Sequence, residues 1–116
     1  MAKIQITDLN VRTIIGFNDW ERKNRQEVII NLTFDYDSKK ARLKDDIKEI
    51  IDYRSLTKKI ISNVENSQFL LLEKLTEFVL DLVMEDARIR TATVRIDKPH
   101  ALRFARSVSV ELSAQR

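Results

Sequence analysis

Residues 27–37 read Glu-Val-Ile-Ile-Asn-Leu-Thr-Phe-Asp-Tyr-Asp, and this stretch decides the fold class of the chain. Apolar and polar side chains alternate along it, and the apolar set consists of Val28, Ile30, Leu32, Phe34 and Tyr36. Because successive side chains of a strand point to opposite faces of a sheet, the pattern predicts a β-strand with one buried face. The other face carries Ile29 and the small polar residues Asn31 and Thr33.

The segment before this strand, residues 3–15, also alternates, although its phase slips near Thr7-Asp8. Such a slip predicts a β-bulge, in which one strand carries an extra residue. The polar residues 16–26 between the two segments predict a loop. Two neighbouring strand patterns joined in this way predict a long antiparallel hairpin.

Two helical patterns follow the hairpin. The charged residues 38–51 favour a short helical turn, and Asp52 then offers a helix start before an apolar face that consists of Leu56, Ile60 and Val64. A second helix is predicted over residues 70–87, with an apolar stripe made of Leu71, Leu75, Phe78, Val79, Leu82 and Val83.

Alternation returns in residues 89–97 and 106–113, which predicts two further strands. The order of elements is therefore ββααββ, typical of a single α+β domain over residues 1–116. An antiparallel sheet with two helices on one face is the packing that this order favours. Free strand edges invite pairing with another chain, so the sequence also predicts a homo-oligomer.

The composition excludes several kinds of site. The chain of 116 residues has no cysteine, one histidine and one glycine, which excludes zinc–thiolate and histidine-rich metal sites and glycine-rich phosphate loops. Its net charge of +3 is not gathered into a basic stripe, so no nucleic-acid partner is predicted. No apolar run is long enough to cross a membrane and no apolar leader begins the chain, so a cytoplasmic location is expected.

Reactive side chains stand where the regular patterns break. They are Glu21 in the loop, Tyr53 at a helix start, Glu73 early in the second helix and Lys98 at the end of a strand. Taken singly, each is better explained as an ordinary loop, helix-start or surface residue. Periodicity alone therefore predicts an α+β domain and no particular chemistry.

The spacing of short blocks along the chain carries more information. The blocks are Gly16 with Glu21 and Gln26, then Asp52-Tyr53-Arg54, then Leu71-Leu72-Glu73-Lys74-Leu75, then Lys98-Pro99-His100-Ala101. In order and spacing, over essentially the whole chain, they resemble the dihydroneopterin aldolase and epimerase family. Residues 63–66, 71–76, 96–103 and 107–109 look like the branch of that family that acts as triphosphate 2′-epimerases.

Two departures from the aldolase pattern favour the epimerase branch. Aldolases often carry a histidine where this chain has Ile15, and a proline-rich turn with a glycine where it has Ala101-Leu102-Arg103. The resemblance implies a tunnelling fold (T-fold), in which subunits join their sheets into a barrel and two tetrameric rings stack into an octamer. It also implies a pterin substrate bound between neighbouring subunits, with no cofactor and no metal.

The resemblance assigns roles by position. Lys98 and Glu21 match the catalytic positions, and Tyr53 matches a catalytic residue contributed across the subunit interface. Glu73 matches the pterin anchor. This role suits a glutamate, because one carboxylate can accept hydrogen bonds from both the 2-amino group and N3–H of the ring. Further substrate contacts are expected from the backbone at Leu71 and Leu72 and from Ile51. For the triphosphate, Arg103 is a candidate contact because it lies just beyond Lys98 in a chain of net positive charge, and a solvated surface arginine is the alternative.

The implied reaction is epimerisation at C2′ of 7,8-dihydroneopterin triphosphate to the dihydromonapterin form by retro-aldol cleavage and aldol re-addition. The alternative is a dihydroneopterin aldolase of folate biosynthesis, which releases 6-hydroxymethyl-7,8-dihydropterin and glycolaldehyde. A non-catalytic binding protein of the same fold is a further alternative, against which the joint presence of Glu21, Tyr53, Glu73 and Lys98 argues.

Overall fold

The predicted hairpin is the centre of the fold in a computed structural model that describes all residues 1–116. Strand β1 (Ala2–Ile15) pairs antiparallel with β2 (Gln26–Tyr36) from Ala2 opposite Tyr36 to Thr13 opposite Gln26. The register shifts between Ile6 and Leu9, and Asp8 has a φ of 56°. The Asp8 amide donates to Asn31 Oδ1 at 2.9 Å. The predicted bulge near Thr7-Asp8 is therefore confirmed.

Three further strands complete a five-stranded sheet of order β3-β1-β2-β4-β5. They are β3 (Gln68–Phe69), β4 (Ile89–Pro99) and β5 (Ser107–Gln115). All pairs are antiparallel except β1 with β3, where Ile14 and Ile15 lie opposite Gln68 and Phe69 in parallel. A strand of two residues shows no periodicity, so the sequence did not predict β3.

Four α-helices accompany the sheet: α1 (Asp19–Lys23), α2 (Lys39–Lys44), α3 (Tyr53–Glu65) and α4 (Leu72–Met84), with a 3-10 turn at Ile47–Glu49. Helices α3 and α4 are the two that the sequence predicted. Helix α4 begins after the predicted start because Leu71 is extended, with φ −112° and ψ 135°, and it ends at Met84, before the predicted end at residue 87. Helix α1 lies inside the predicted loop, where it carries no buried residue. No helix is long and apolar enough to span a membrane.

The core lies between α3, α4 and one face of the sheet. The side chains of Val28, Ile30 and Phe34 on β2 are at most 1% exposed, as predicted from the alternation. They pack in one cluster with Ile60 and Val64 of α3, Leu75, Val79 and Val83 of α4, and Val94 and Ile96 of β4. The α+β class with helices on one sheet face is thereby confirmed.

The sheet has two ends that matter for function. We call the end that carries Ile15, Gln26, Lys98 and Ser107 the lysine end, and the end that carries Ala2, Tyr36, Ile89 and Gln115 the opposite end. The molecule is 53 Å along its longest axis.

Candidate functional site

Lys98 and Glu21 form an ion pair at the lysine end of the sheet. Lys98 follows Ile96 by two residues on β4, so its side chain leaves the strand on the core face. Only 12% of the Lys98 side chain and 14% of the Glu21 side chain are exposed to solvent. The structure thus brings together two of the predicted catalytic residues, which are 77 positions apart in sequence.

Helix α1 and its cap place the Glu21 carboxylate. Asn18 caps the helix: its side chain accepts from the Glu21 amide at 2.9 Å, and Glu21 Oε1 accepts from the Asn18 amide at 3.5 Å. Gln26 Nε2 donates to Glu21 Oε2 at 3.1 Å and to the Ile15 carbonyl at 2.8 Å. The carboxylate is therefore held from three sides, by Asn18, Gln26 and Lys98.

Gly16 leaves the space that this carboxylate occupies. Its φ is 116°, a value that residues with a side chain rarely adopt. A Cβ at this position would overlap with the carboxyl group of Glu21. The single glycine of the chain is thus part of the site, both through its backbone angle and through its missing side chain.

Opposing effects act on the pKa of the Glu21 carboxyl. Burial by itself raises this pKa, but the hydrogen bonds from Lys98 and Gln26 and the positive charge of Lys98 outweigh burial. The net result is a pKa below the ordinary value of a glutamate. At neutral pH the Glu21 side chain is therefore a charged carboxylate beside the Lys98 amine.

Glu73 lies in the first turn of α4 and is exposed. Its carboxylate has no hydrogen-bond or ion-pair partner within the protomer, and no side chain caps this helix N-terminus. The segment before it is β3, which pairs with Ile14 and Ile15 beside Gly16. Leu71 is half exposed and Leu72 partly buried in the same segment. The segment that bears Glu73 therefore reaches the lysine end of the sheet.

Tyr53 and Ile51 lie elsewhere in the protomer. Asp52 caps α3 by accepting from the amides of Arg54 and Ser55 at 3.0 and 3.2 Å, which leaves Tyr53 at the helix start, 53% exposed. Ile51 is 5% exposed and lines a cleft with Ile89, the first residue of β4. Ile89 and Lys98 are separated along that strand by roughly 30 Å at a rise of about 3.3 Å per residue. One protomer therefore does not place Tyr53 or Ile51 beside the ion pair.

Arg103 lies in the turn between β4 and β5 and is exposed. Its guanidinium carbon is 5.7 Å from the ring centroid of Phe104, which is 96% exposed. Arg103 makes no contact with the Lys98–Glu21 pair, so its predicted substrate contact remains a prediction. No group of three or more potential ligands among His, Cys, Asp and Glu comes together to hold a metal ion.

Sequence reasoning assigned no role to Asn18 and gave Gly16 and Gln26 only as members of a spaced block. The Asn18 signal was available, because an Asn followed three residues later by Glu is a helix-capping pattern. The roles of Gly16 and Gln26 had no local signal, since each depends on where the Glu21 carboxylate lies. Together these residues hold the Lys98 amine and the Glu21 carboxylate in one largely buried place, an arrangement suited to general acid–base chemistry on a bound ligand.

A family model described as dihydroneopterin aldolase matches residues 4–113. A dihydroneopterin triphosphate 2′-epimerase of Pseudomonas aeruginosa is 49% identical over 116 residues, which is 100% of this chain and 94% of that protein. A dihydroneopterin aldolase of Haemophilus influenzae is 32% identical over 110 residues, 95% of this chain and 93% of that protein. The structure of Escherichia coli dihydroneopterin aldolase in complex with neopterin matches with a TM-score of 0.92 at 28% identity, covering 98% of this chain and 99% of that one.

Proposed function

The chain belongs to the dihydroneopterin aldolase family, and we propose that it epimerises C2′ of 7,8-dihydroneopterin triphosphate to give the dihydromonapterin form. The observation that carries the chemistry is the Lys98–Glu21 ion pair, whose side chains are 12% and 14% exposed. A dehydrated amine held by a carboxylate is suited to take up and return a proton at a bound substrate.

The degree of similarity supports the epimerase over the aldolase. Identity to the 2′-epimerase of P. aeruginosa is 49%, against 32% to the aldolase of H. influenzae, and both comparisons cover nearly the whole chain. Ile15 and the turn Ala101-Leu102-Arg103 also depart from the aldolase pattern. A dihydroneopterin aldolase remains the second candidate, because the same bond cleavage serves both reactions.

The proposed reaction begins with the 2′-hydroxyl of the substrate. Lys98 acts in this step as the neutral amine and takes the hydroxyl proton while the C1′–C2′ bond breaks. The electron pair of that bond forms a C1′=C6 double bond, and the π electrons of the C=N bond pass to the ring nitrogen, which takes up a proton from water. The products of this step are an enol-like pterin and an aldehyde. If the aldehyde turns over and re-adds, Lys98 returns the proton to its oxygen and C2′ is inverted. If the aldehyde leaves, C1′ takes the proton held by Lys98 and the ring nitrogen returns its proton to water, which gives the hydroxymethyl product of an aldolase.

Glu73 supports pterin recognition because its carboxylate is exposed and unpartnered at an uncapped helix N-terminus. A pterin presents its 2-amino group and N3–H in the same direction, and one carboxylate can accept both hydrogen bonds. The free backbone amides of the first turn of α4, and the backbone at Leu71 and Leu72, are suited to bind the rest of that edge.

A neighbouring subunit would supply Tyr53 and Ile51. Both residues lie at the opposite end of the protomer, yet Tyr53 is half exposed and available to a second chain. Strand β5 leaves one edge of the sheet unpaired, and such an edge favours pairing with another copy. We therefore expect a homo-oligomer with the pterin pocket between subunits, as an octamer of two stacked tetramers, and we expect it in the cytoplasm.

The test is incubation of the purified protein with dihydroneopterin triphosphate and, separately, with dihydroneopterin, followed by chromatography of the pterins. We expect the 2′-epimer of the triphosphate as the main product and its loss in Lys98→Met. Lys58→Met is the matched control, because Lys58 is exposed and makes no ion pair. Mainly 6-hydroxymethyl-7,8-dihydropterin would instead identify an aldolase, and full activity of Lys98→Met would refute the mechanism.

Arg103 is the proposed contact of the triphosphate because it is an exposed cation in the turn that follows Lys98. In Arg103→Ala, KM should rise for the triphosphate and stay unchanged for the dephosphorylated pterin. An equal change in both KM values would refute the phosphate contact.

A further inference from the structure

Arg22 directly follows Glu21 on α1 and donates all of its hydrogen bonds to backbone carbonyls. Its Nη1 donates to the Gly16 carbonyl at 3.0 Å and to the Phe69 carbonyl at 3.3 Å, and its Nη2 donates to the Gln68 carbonyl at 3.0 Å. It forms no ion pair with any carboxylate of the protomer. The guanidinium is part-buried, so Arg22 binds backbone carbonyls and does not form a surface ion pair.

The three carbonyls belong to two different segments of the site. Gly16 forms the turn against which the Glu21 carboxylate packs. Gln68 and Phe69 form β3, which leads within a few residues to Glu73. The only backbone hydrogen bond from the Gly16 turn to β3 is that of the Gly16 amide to the Phe69 carbonyl, at 3.1 Å. Arg22 therefore adds three side-chain hydrogen bonds to the short pairing of β1 with β3 and links the Gly16 carbonyl to both residues of β3.

We propose that Arg22 is a positioning residue that fixes the Lys98–Glu21 pair relative to the segment that carries Glu73. The inference rests on the proposed function, in which Glu73 holds the ring and the pair handles the proton. Without Arg22, only the short pairing of β1 with β3 and the Gly16 amide hydrogen bond hold the Gly16 turn against β3. A displacement of about 1 Å between reacting groups can lower a rate by about 100-fold, even when each group still binds its own part of the substrate.

Lysine is a poor replacement at this position. The planar guanidinium reaches both segments through two nitrogens, whereas a lysine presents a single nitrogen on a flexible stem. Arg22→Lys should therefore keep the charge and the fold but lose part of the alignment, and Arg22→Met should lose all of it. Lys23→Met is the matched control, because Lys23 lies next on the same helix, is exposed and makes no side-chain hydrogen bond.

The kinetic test separates alignment from binding. We expect kcat for the epimerisation to fall by about 30- to 100-fold in Arg22→Met and by an intermediate factor in Arg22→Lys. The Kd for neopterin should change by less than about threefold in both variants, because Glu73 itself is untouched. Lys23→Met should match the parent protein. An unchanged kcat in Arg22→Met, or parallel changes in kcat and Kd, would overturn the proposal.

A second measurement does not depend on catalysis. Hydrogen–deuterium exchange should be faster at residues 14–18 and 67–70 in Arg22→Met, while the central strand β2 keeps its protection. If the parent protein converts neither pterin, the proposed function fails, and the exchange result still decides whether Arg22 joins the two segments. Unchanged exchange at Gly16 would overturn the role of Arg22 whatever the activity.

Discussion

Replacing Gly16 by alanine is the sharpest test of how the site is built. The new Cβ would overlap with the Glu21 carboxyl group, and the φ of 116° is unfavourable for any residue with a side chain. Either the turn or the carboxylate has to move. Since Gly16 carries no reactive group, any loss of activity must come from displacement of Glu21 and of the turn itself.

Two contributions set the expected size of the effect on the free energy of unfolding. An alanine held in a sparsely populated backbone region costs about 1–3 kcal/mol. Displacing Glu21 weakens its hydrogen bonds with Lys98 and Gln26, and a hydrogen bond to a charged group contributes about 1.5–3 kcal/mol. Together the two contributions give an expected destabilisation of about 2.5–6 kcal/mol. We also expect kcat to fall by about 100-fold, because the acid–base pair loses its alignment.

Urea unfolding and steady-state kinetics measure these two effects, and a double-mutant cycle with Glu21→Ala assigns their cause. In the Glu21→Ala background the carboxyl group is gone, so Gly16→Ala should retain only the backbone strain, about 1–3 kcal/mol. An equal loss of stability in both backgrounds would show that Gly16 and Glu21 are not coupled. A Gly16→Ala protein with the parent kcat would refute the reasoning about the site.

Other predictions concern single contacts. The pKa of Glu21 is lowered in the folded protein, so its stabilisation is present above its ordinary value of 4.5 and is lost as the pH falls through the lowered value. The difference in unfolding free energy between parent and Glu21→Gln should therefore be constant near neutrality and shrink below pH 4.5; a difference independent of pH would contradict this. Thr13→Val removes a buried hydrogen bond of 2.6 Å to the Val64 carbonyl and should destabilise the protein by about 1–2 kcal/mol in urea unfolding. Asp52→Ala removes the cap of α3 and should lower the unfolding free energy and the thermal midpoint, and an unchanged thermal midpoint would argue against that cap.

Local periodicity was enough to predict the main elements. The alternation of residues 27–37 predicted β2, the phase slip near Asp8 predicted the bulge, and Asp52 was predicted to start α3. These features can be predicted from the amino-acid sequence because strand alternation, bulges and helix caps depend on residues that are close in sequence. The family resemblance predicted Lys98 and Glu21 as a catalytic couple, which no periodicity could indicate.

The ends of elements were less predictable. Residues 70 and 71 carry the apolar pattern of a helix, yet α4 begins only at Leu72. The reason lies in β3, which pairs with Ile14 and Ile15 and draws the following residues into an extended path. Pairing between segments so far apart in the chain leaves no trace in a window of ten or twenty residues.

The amino-acid sequence by itself determined which strands and helices form, since their periodicity is a local property. Only the tertiary structure decided what surrounds the Glu21 carboxylate. The pairing of β1, β2 and β4 places Lys98 beside it, and Gly16 leaves the space that it occupies. Arg22 joins the Gly16 turn to β3 through hydrogen bonds to backbone carbonyls. Each of these contacts depends on the packing of distant segments. The sequence thus shows the residues of the site in order, and the packed sheet sets their distances.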